Sequence, residues 1–150
     1  MTVRIQVDDF DLGQELTSMR LAGRANIGAL VSFVGQVRDI NDGDTISALT
    51  LEHYPEMTEK ALAAIENEAK LRWDISDSLI IHRVGTLKPL DQIVLVVVSS
   101  AHRAEAFKAC EFIMDYLKTS APFWKKEATN HGERWVEAKL ADDEAKERWE

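Results

Sequence analysis

Hydrophobic residues recur along the chain with two different periods, and the order of these periods predicts a mixture of strands and helices. Recurrence at every second position predicts a half-buried strand, whereas recurrence every three to four positions predicts an amphipathic helix. The predicted strands are Val3–Val7, Ile27–Val37, Ile46–Tyr54, Ser78–Val84, Gln92–Ser100, Phe123–Thr129 and Glu133–Lys139. The predicted helices are Asp11–Leu21, Pro55–Trp73 and Ser100–Thr119. Because hairpins alternate with two long helices, we expect an α+β fold rather than a doubly wound parallel sheet.

Three local signals refine this prediction. The run IVLVVV at residues 93–98 is apolar enough to form a central strand that is covered on both faces. The turn residues Asn41–Asp44 separate two predicted strands, so we expect those strands to form an antiparallel pair. Ser100 is a suitable N-cap for the last predicted helix, and Pro122 should end it.

The length and composition of the chain favour one domain with a substantial core. The chain has 150 residues, of which 45% are hydrophobic, and its composition stays even until the last ten. We therefore expect a single domain over residues 1–140. Residues 141–150, ADDEAKERWE, are mostly charged, and they should form a flexible, at most marginally helical tail.

Charge and cysteine content exclude several classes of function. The formal net charge of −8 argues against nucleic acid or an anionic membrane as the partner. No apolar segment resembles a secretion signal or a membrane span, which predicts a cytoplasmic protein. The one cysteine, Cys110, falls in an apolar helical stripe, and no Cys/His spacing indicates a metal site. We therefore expect an inert thiol, no metal and no bound cofactor.

Basic residues concentrate near the two ends of the third predicted helix. His102 and Arg103 stand at its start, where unpaired backbone amides disfavour a cation unless an anion is bound there. A phosphate or carboxylate site and an ordinary surface pair explain this position equally well. Lys118 continues a row with Lys108, Glu111 and Asp115, which is typical of a solvated helix face. No Gly-rich phosphate loop and no GxSxG turn accompany these residues.

Several long motifs follow one another between about Gly28 and Lys139. They are VSFVGQVRD, LTLEHYPEMTEKAL, IHRVGTLKPLD, SSAHRAEAF, DYLKTSAPFWKKE and RWVEAK. In this order and spacing they resemble the large, catalytic subunit of molybdopterin synthase, the MoaE family. The resemblance implies an α+β fold of the α/β-hammerhead type, with a mainly antiparallel sheet and two long helices.

The same resemblance implies a reaction and a set of partners. The enzyme would convert cyclic pyranopterin monophosphate to molybdopterin by transferring two sulfur atoms. A small ubiquitin-like subunit would carry each sulfur as a thiocarboxylate at its C-terminal Gly-Gly. The catalytic subunit would form a homodimer at the centre of a heterotetramer with this carrier. Two alternatives remain open from the residues alone, which are a non-catalytic regulator that binds a phosphorylated metabolite and a docking scaffold for a ubiquitin-like protein.

Particular residues acquire roles from the resemblance. Lys118 and Lys125 match the essential lysines of the family, and their charges would attract the thiocarboxylate. Glu127 is a secondary candidate for proton transfer. The residues expected to bind or shape the substrate site are Phe33, Gln36, Val37, Arg38, His102, Arg103, Lys126, Glu127 and Lys139. Gln36 stands where many members of the family carry lysine, and Lys139 where an arginine can stand, so substrate contacts should differ at both positions.

Helix length adds a geometric constraint. His102 and Lys118 are 16 residues apart on one predicted helix, which separates their backbones by roughly 24 Å. One pterin cannot bridge that distance. We therefore expect a two-fold dimer in which the His102 end of one subunit approaches the Lys118 end of the other.

Overall fold

Strands and helices follow one another in a mixed order in the computed structural model, which describes residues 1–136 and 140–150. The strands are β1 Thr2–Gln6, β2 Ala29–Gln36, β3 Ile40–Asn41, β4 Asp44–His53, β5 Asp77–Arg83, β6 Gly85–Leu87, β7 Gln92–Ser100, β8 Phe123–Thr129 and β9 Gly132–Trp135. The helices are α1 Leu12–Ala22, α2 Met57–Arg72, α3 Arg103–Ser120 and α4 Leu140–Glu147. The predicted α+β class is confirmed, with two long helices and mainly antiparallel strand pairs.

The first sheet forms the centre of the molecule and has the strand order β1-β5-β7-β2. β1 and β5 are parallel, whereas β7 is antiparallel to both β5 and β2. β7 is buried from Val94 to Ser100, which confirms the prediction of a central strand. Helices α2 and α3 pack on one face of this sheet, and α1 packs on the other. Each fully buried valine of β7 contributes roughly 1.5–3 kcal/mol through the hydrophobic effect.

The second sheet is built around β4 and carries the candidate site. β4 pairs with β3, β6 and β8, and β8 pairs in turn with β9. The prediction that the strand before the Asn41–Asp44 turn pairs with the strand after it is wrong, because β2 pairs with β7 in the first sheet. The chain changes sheets at Val37, whose N–H donates to Asp91 O and whose carbonyl accepts from Leu90 N–H. The turn therefore joins only the short strand β3 to β4.

Helix α3 begins two residues later than expected. Its N-cap is His102, whereas the predicted N-cap, Ser100, is the last residue of β7. The Ser100 hydroxyl donates to Asp74 O and accepts from the His102 N–H, so it stabilises the turn between strand and helix. Helix α3 ends at Ser120, directly before Ala121 and Pro122. His102 and Arg103 therefore lie at the start of α3, and Lys118 lies in its last turn.

The charged segment at the end of the chain forms a helix that packs on α3. The Trp149 ring lies edge-on to Trp73 and Phe112, with centroid distances of 5.3 Å and 5.7 Å. Asp115 accepts hydrogen bonds from the Trp149 indole and from Arg148. This arrangement differs from the loose tail that the charges of the segment suggested, because one aromatic side chain anchors it. Among the described residues, no helix is long and apolar enough to cross a membrane.

Candidate functional site

A cavity of about 460 Å³ lies between the second sheet and the C-terminal end of α3. Residues from three parts of the chain line its wall. The predicted site residues among them are Gln36, Val37, Arg38, Lys118, Lys125 and Glu127. The end of β2 supplies Gln36, and the two residues that follow it are Val37 and Arg38; α3 supplies Lys118, and β8 supplies the other two. The structure thus gathers Arg38 and both predicted lysines around one pocket in a protein of net charge −8.

Local structure explains why the two lysines meet. Lys118 lies in the last turn of α3, where the partial negative charge of the helix terminus favours a cation. Lys125 lies on β8, which is held in register by its pairing with β4. Side chains alternate along a strand, so Lys125 and Glu127 face the same side, with backbones roughly 7 Å apart. The pocket therefore places an acidic group beside two basic ones.

Glu127 is held at the pocket wall by two hydrogen bonds. Asn41 Nδ2 donates to its Oε1 at 3.0 Å, and Arg134 Nε donates to the same oxygen at 3.3 Å. The Glu127 residue is only 5% exposed, so these donors are needed to compensate for the loss of water. Arg134 also donates to Asp44 Oδ2 and to Asn41 O, and it thereby connects β3, β4, β8 and β9.

An aromatic stack lies behind the two lysines. Phe123 lines the pocket, and its ring is stacked on His82 with 3.9 Å between the ring centroids. The His82 Nδ1 lies 2.8 Å from the Arg83 carbonyl. Burial lowers the pKa of His82 to about 3, and the charges of Lys125 and Lys118 act in the same direction. His82 is therefore neutral at pH 7.

Two of the predicted site residues lie at the opposite end of α3. The His102 side chain is exposed and makes no capping hydrogen bond, although His102 occupies the N-cap. Arg103 is the exposed first residue of the helix. Roughly 24 Å of helix separate His102 from Lys118, so these residues do not share a pocket within one subunit.

Two further predicted residues also lie apart from the pocket. Phe33 lies on β2 and is 40% exposed. Lys126 alternates with Lys125 along β8, and its ammonium lies 5.6 Å from the centre of the Trp135 ring and 3.5 Å from Glu133. Lys139 lies outside the described residues, so the structure does not place it.

Sequence reasoning missed Asn41 and Arg134. Asn41 was noticed only as a turn residue, although its side chain bonds Glu127 at the pocket wall. A signal for the hairpin was present, because only residues 130–132 separate the predicted strands Phe123–Thr129 and Glu133–Lys139. A three-residue turn would pair Thr129 with Glu133, whereas the observed turn is one residue shorter and pairs Glu127 with Arg134.

Cys110 makes no contribution to this pocket. It is buried in the core between α3 and the first sheet, as its place in the apolar stripe predicted. Burial raises the pKa of the Cys110 thiol to about 12, so the thiolate is almost absent at pH 7. A buried, protonated thiol is a poor nucleophile.

Comparisons with known proteins agree with one another over nearly the whole chain. The sequence profile described as "MoaE protein" matches residues 5–120. The molybdopterin synthase catalytic subunit of Ralstonia nicotianae is 63% identical over 148 residues, covering 99% of this chain and 84% of that protein. The molybdopterin biosynthesis MoaE protein from Burkholderia ambifaria superposes with a TM-score of 0.84 at 57% identity, covering 99% of this chain and 97% of that one. Molybdopterin synthase from Staphylococcus aureus gives a TM-score of 0.81 at 34% identity, with coverage of 89% and 96%.

Proposed function

The chain belongs to the MoaE protein family, and from that premise we propose that it is the catalytic subunit of a molybdopterin synthase. The reaction is the conversion of cyclic pyranopterin monophosphate to molybdopterin, which makes the chain a sulfurtransferase in molybdenum cofactor biosynthesis. The observation that carries the proposal is the pocket in which Lys118, Lys125 and Arg38 converge. Cations that converge on one cavity favour an anionic ligand. We place this reaction in the cytoplasm.

The anionic ligand that fits the lysines is the thiocarboxylate of a small ubiquitin-like carrier. Its C-terminal Gly-Gly tail is slender enough to enter the pocket, and its negative charge is attracted by Lys118 and Lys125. As a C–S bond forms at the pterin side chain, the C–S bond of the carrier breaks, and water supplies the oxygen that leaves the carrier with an ordinary carboxylate. Because sulfur arrives on the carrier, the buried thiol of Cys110 has no required part in the reaction.

The pterin phosphate requires a second set of cations. Arg38 lies at the pocket, and we assign His102 and Arg103 of the other subunit to the same substrate. A guanidinium group binds phosphate through paired hydrogen bonds, and the free N–H groups at a helix start add further donors. This assignment makes each active site the joint product of two subunits in a homodimer, with one carrier bound to each subunit.

The direct test is product formation by the purified chain. Wild-type protein is incubated with thiocarboxylated carrier and cyclic pyranopterin monophosphate, and molybdopterin is measured. We expect Lys118→Ala to lower turnover by about 10²-fold or more, the usual contribution of a positioned acid, base or nucleophile. Lys108→Ala is the matched control, because Lys108 is an exposed lysine of the same helix.

The two alternative functions predict a different result. A phosphometabolite-binding regulator and a docking scaffold both leave Lys118 without a chemical task. Either alternative would be supported if the wild-type chain bound its ligands but formed no product. Equal turnover by Lys118→Ala and Lys108→Ala would contradict the catalytic role that we assign to Lys118.

A further inference from the structure

Arg134 stands at the centre of a polar cluster beside the pocket. Its Nε donates to Glu127 Oε1 at 3.3 Å, one terminal nitrogen donates to Asp44 Oδ2 at 2.6 Å, and the other donates to Asn41 O at 2.9 Å. The three acceptors lie in different directions, which suits the planar guanidinium fork and not a lysine ammonium. Desolvation alone would lower the pKa of Arg134, but hydrogen bonds and charge from Asp44 and Glu127 outweigh it and raise that pKa.

These contacts distinguish the two oxygens of Glu127. Within the described residues, the hydrogen bonds from Asn41 and Arg134 both end on Oε1. In that part of the chain, every fully buried side-chain oxygen has a hydrogen-bond partner. Because no donor there reaches Oε2, that oxygen is not fully buried. Glu127 lines the pocket that also contains Lys118 and Lys125. One oxygen of the carboxylate is therefore anchored, and the other is available to the pocket.

We propose that Arg134 is a positioning residue for sulfur transfer, which holds Glu127 as an anchored carboxylate whose second oxygen faces the reacting groups. This inference rests on the proposed function and adds to it a residue that touches neither substrate nor carrier. Arg134 acts through Glu127, because the hydrogen bond and the ion pair to Oε1 fix the rotamer of that side chain.

Glu127 also has other charged neighbours. The charged residues that share its pocket or its ion-pair cluster are Arg38, Lys118, Lys125, Asp142, Asp44 and His131. Arg134 differs from the other cations of this set because an ion-pair contact joins it directly to Glu127. Its loss should therefore release the Glu127 carboxylate from the position in which the ion pair holds it.

A double-mutant cycle separates this role from a purely structural one. We expect Arg134→Gln to lower kcat by about tenfold or more in the wild-type background, but by less than about twofold in a Glu127→Gln background. The KM for cyclic pyranopterin monophosphate should change little. Arg134→Lys should recover part of the activity, since it retains the charge but loses the fork.

Two controls complete the experiment. Arg4→Gln makes the same substitution as Arg134→Gln in an exposed ion pair with Glu15, so turnover should stay near the wild-type value. Thermal unfolding of each variant checks that it is folded, and if Arg134→Gln does not fold, the same cycle is run with Arg134→Lys.

The outcomes distinguish this inference from the proposed function. Equal losses from the Arg134 substitution in both backgrounds would show that Arg134 acts independently of Glu127 and would overturn the inference alone. Full activity of Glu127→Gln would overturn it as well. A wild-type chain that forms no molybdopterin would contradict the proposed function, and this inference with it.

Discussion

Glu66 is a carboxylic acid inside the core, on α2 at the packing face of the first sheet. The residue is only 2% exposed, and its Oε2 accepts a hydrogen bond from the Ser78 hydroxyl. Burial raises the pKa of Glu66 to about 7, against a value of 4.5 for a free side chain. The group lies apart from the pocket, so its ionisation affects the stability of the fold rather than the proposed chemistry.

This burial predicts a pH-dependent stability. Between about pH 4.5 and pH 7 the unfolded chain has released the Glu66 proton while the folded chain retains it. Rising pH therefore lowers the free energy of unfolding across this window, and the contribution is constant above it. We expect Glu66→Gln to lose less stability than the wild type between pH 5 and pH 8, as measured by urea unfolding.

The matched control for this measurement is Glu68→Gln. Glu68 lies on the same helix but is exposed and paired with Arg72. Its substitution should leave the pH dependence of unfolding almost unchanged. The same pH dependence in Glu66→Gln and the wild type would contradict the assignment of a raised pKa to Glu66.

Single residues also show which positions can be predicted from the sequence. Cys110 lies in the core, as the periodicity of its helix predicts. Lys125 lines the pocket, and its catalytic role stays a prediction. Ser100 was misplaced as an N-cap, because serine suits a helix start and a strand end equally well when no tertiary contact is known. The bond from the Ser100 hydroxyl to Asp74 O joins residues that are 26 positions apart, and no local pattern contains it.

At the scale of elements, the last helix illustrates how tertiary packing overrides local composition. Residues 141–150 are mostly charged, which favours a solvated segment. The Trp149 ring nevertheless packs on the aromatic residues Trp73 and Phe112, and Arg148 reaches Glu111 and Asp115 on α3. Helix α3 also carries Lys118, so the packing of the chain end stabilises the helix that lines the pocket.

Removal of the Trp149 ring tests whether this packing stabilises the fold. We expect Trp149→Ala to lower the free energy of unfolding by about 1–3 kcal/mol, because a partly buried aromatic contact is lost. The measurement is urea unfolding, with Glu147→Ala as the control at an exposed position two residues earlier, at the end of α4. Equal stability of the two variants would mean that the tail contributes nothing to the fold.

The pairing of β8 with β9 was predictable, because only three residues separate the predicted strands. Its register was not, because the observed turn is one residue shorter and brings Glu127 opposite Arg134. The pairing of β2 with β7 joins segments that are more than 50 residues apart, and only the complete sheet determines it. The same limit explains why Asn41 was not recognised as a pocket residue.

At the scale of the whole molecule, most of the predicted site residues that the structure describes fall into two groups. One group surrounds the pocket at the C-terminal end of α3, and the other lies at its N-terminal end. The strand β2 lies at the edge of the first sheet, contains no charged residue and leaves Phe33 40% exposed. An uncharged edge strand is a favourable surface for association with a second copy. A dimer would thus provide both an explanation for this edge and a complete active site.

Mixed dimers test this central claim most directly, provided that each parent homodimer is inactive. One subunit carries His102→Ala and Arg103→Ala, the other carries Lys118→Ala, and two affinity tags isolate the heterodimer. If sites are shared, one of the two sites in this heterodimer is intact, and molybdopterin formation should return to about half of the wild-type rate.

The reciprocal heterodimer pairs a wild-type subunit with one that carries all three substitutions. Shared sites predict almost no molybdopterin from it, because each site then contains one defective end. Sites confined to single subunits predict the reverse, with about half of the wild-type rate from this heterodimer and none from the first. That reversed result would contradict the shared active site.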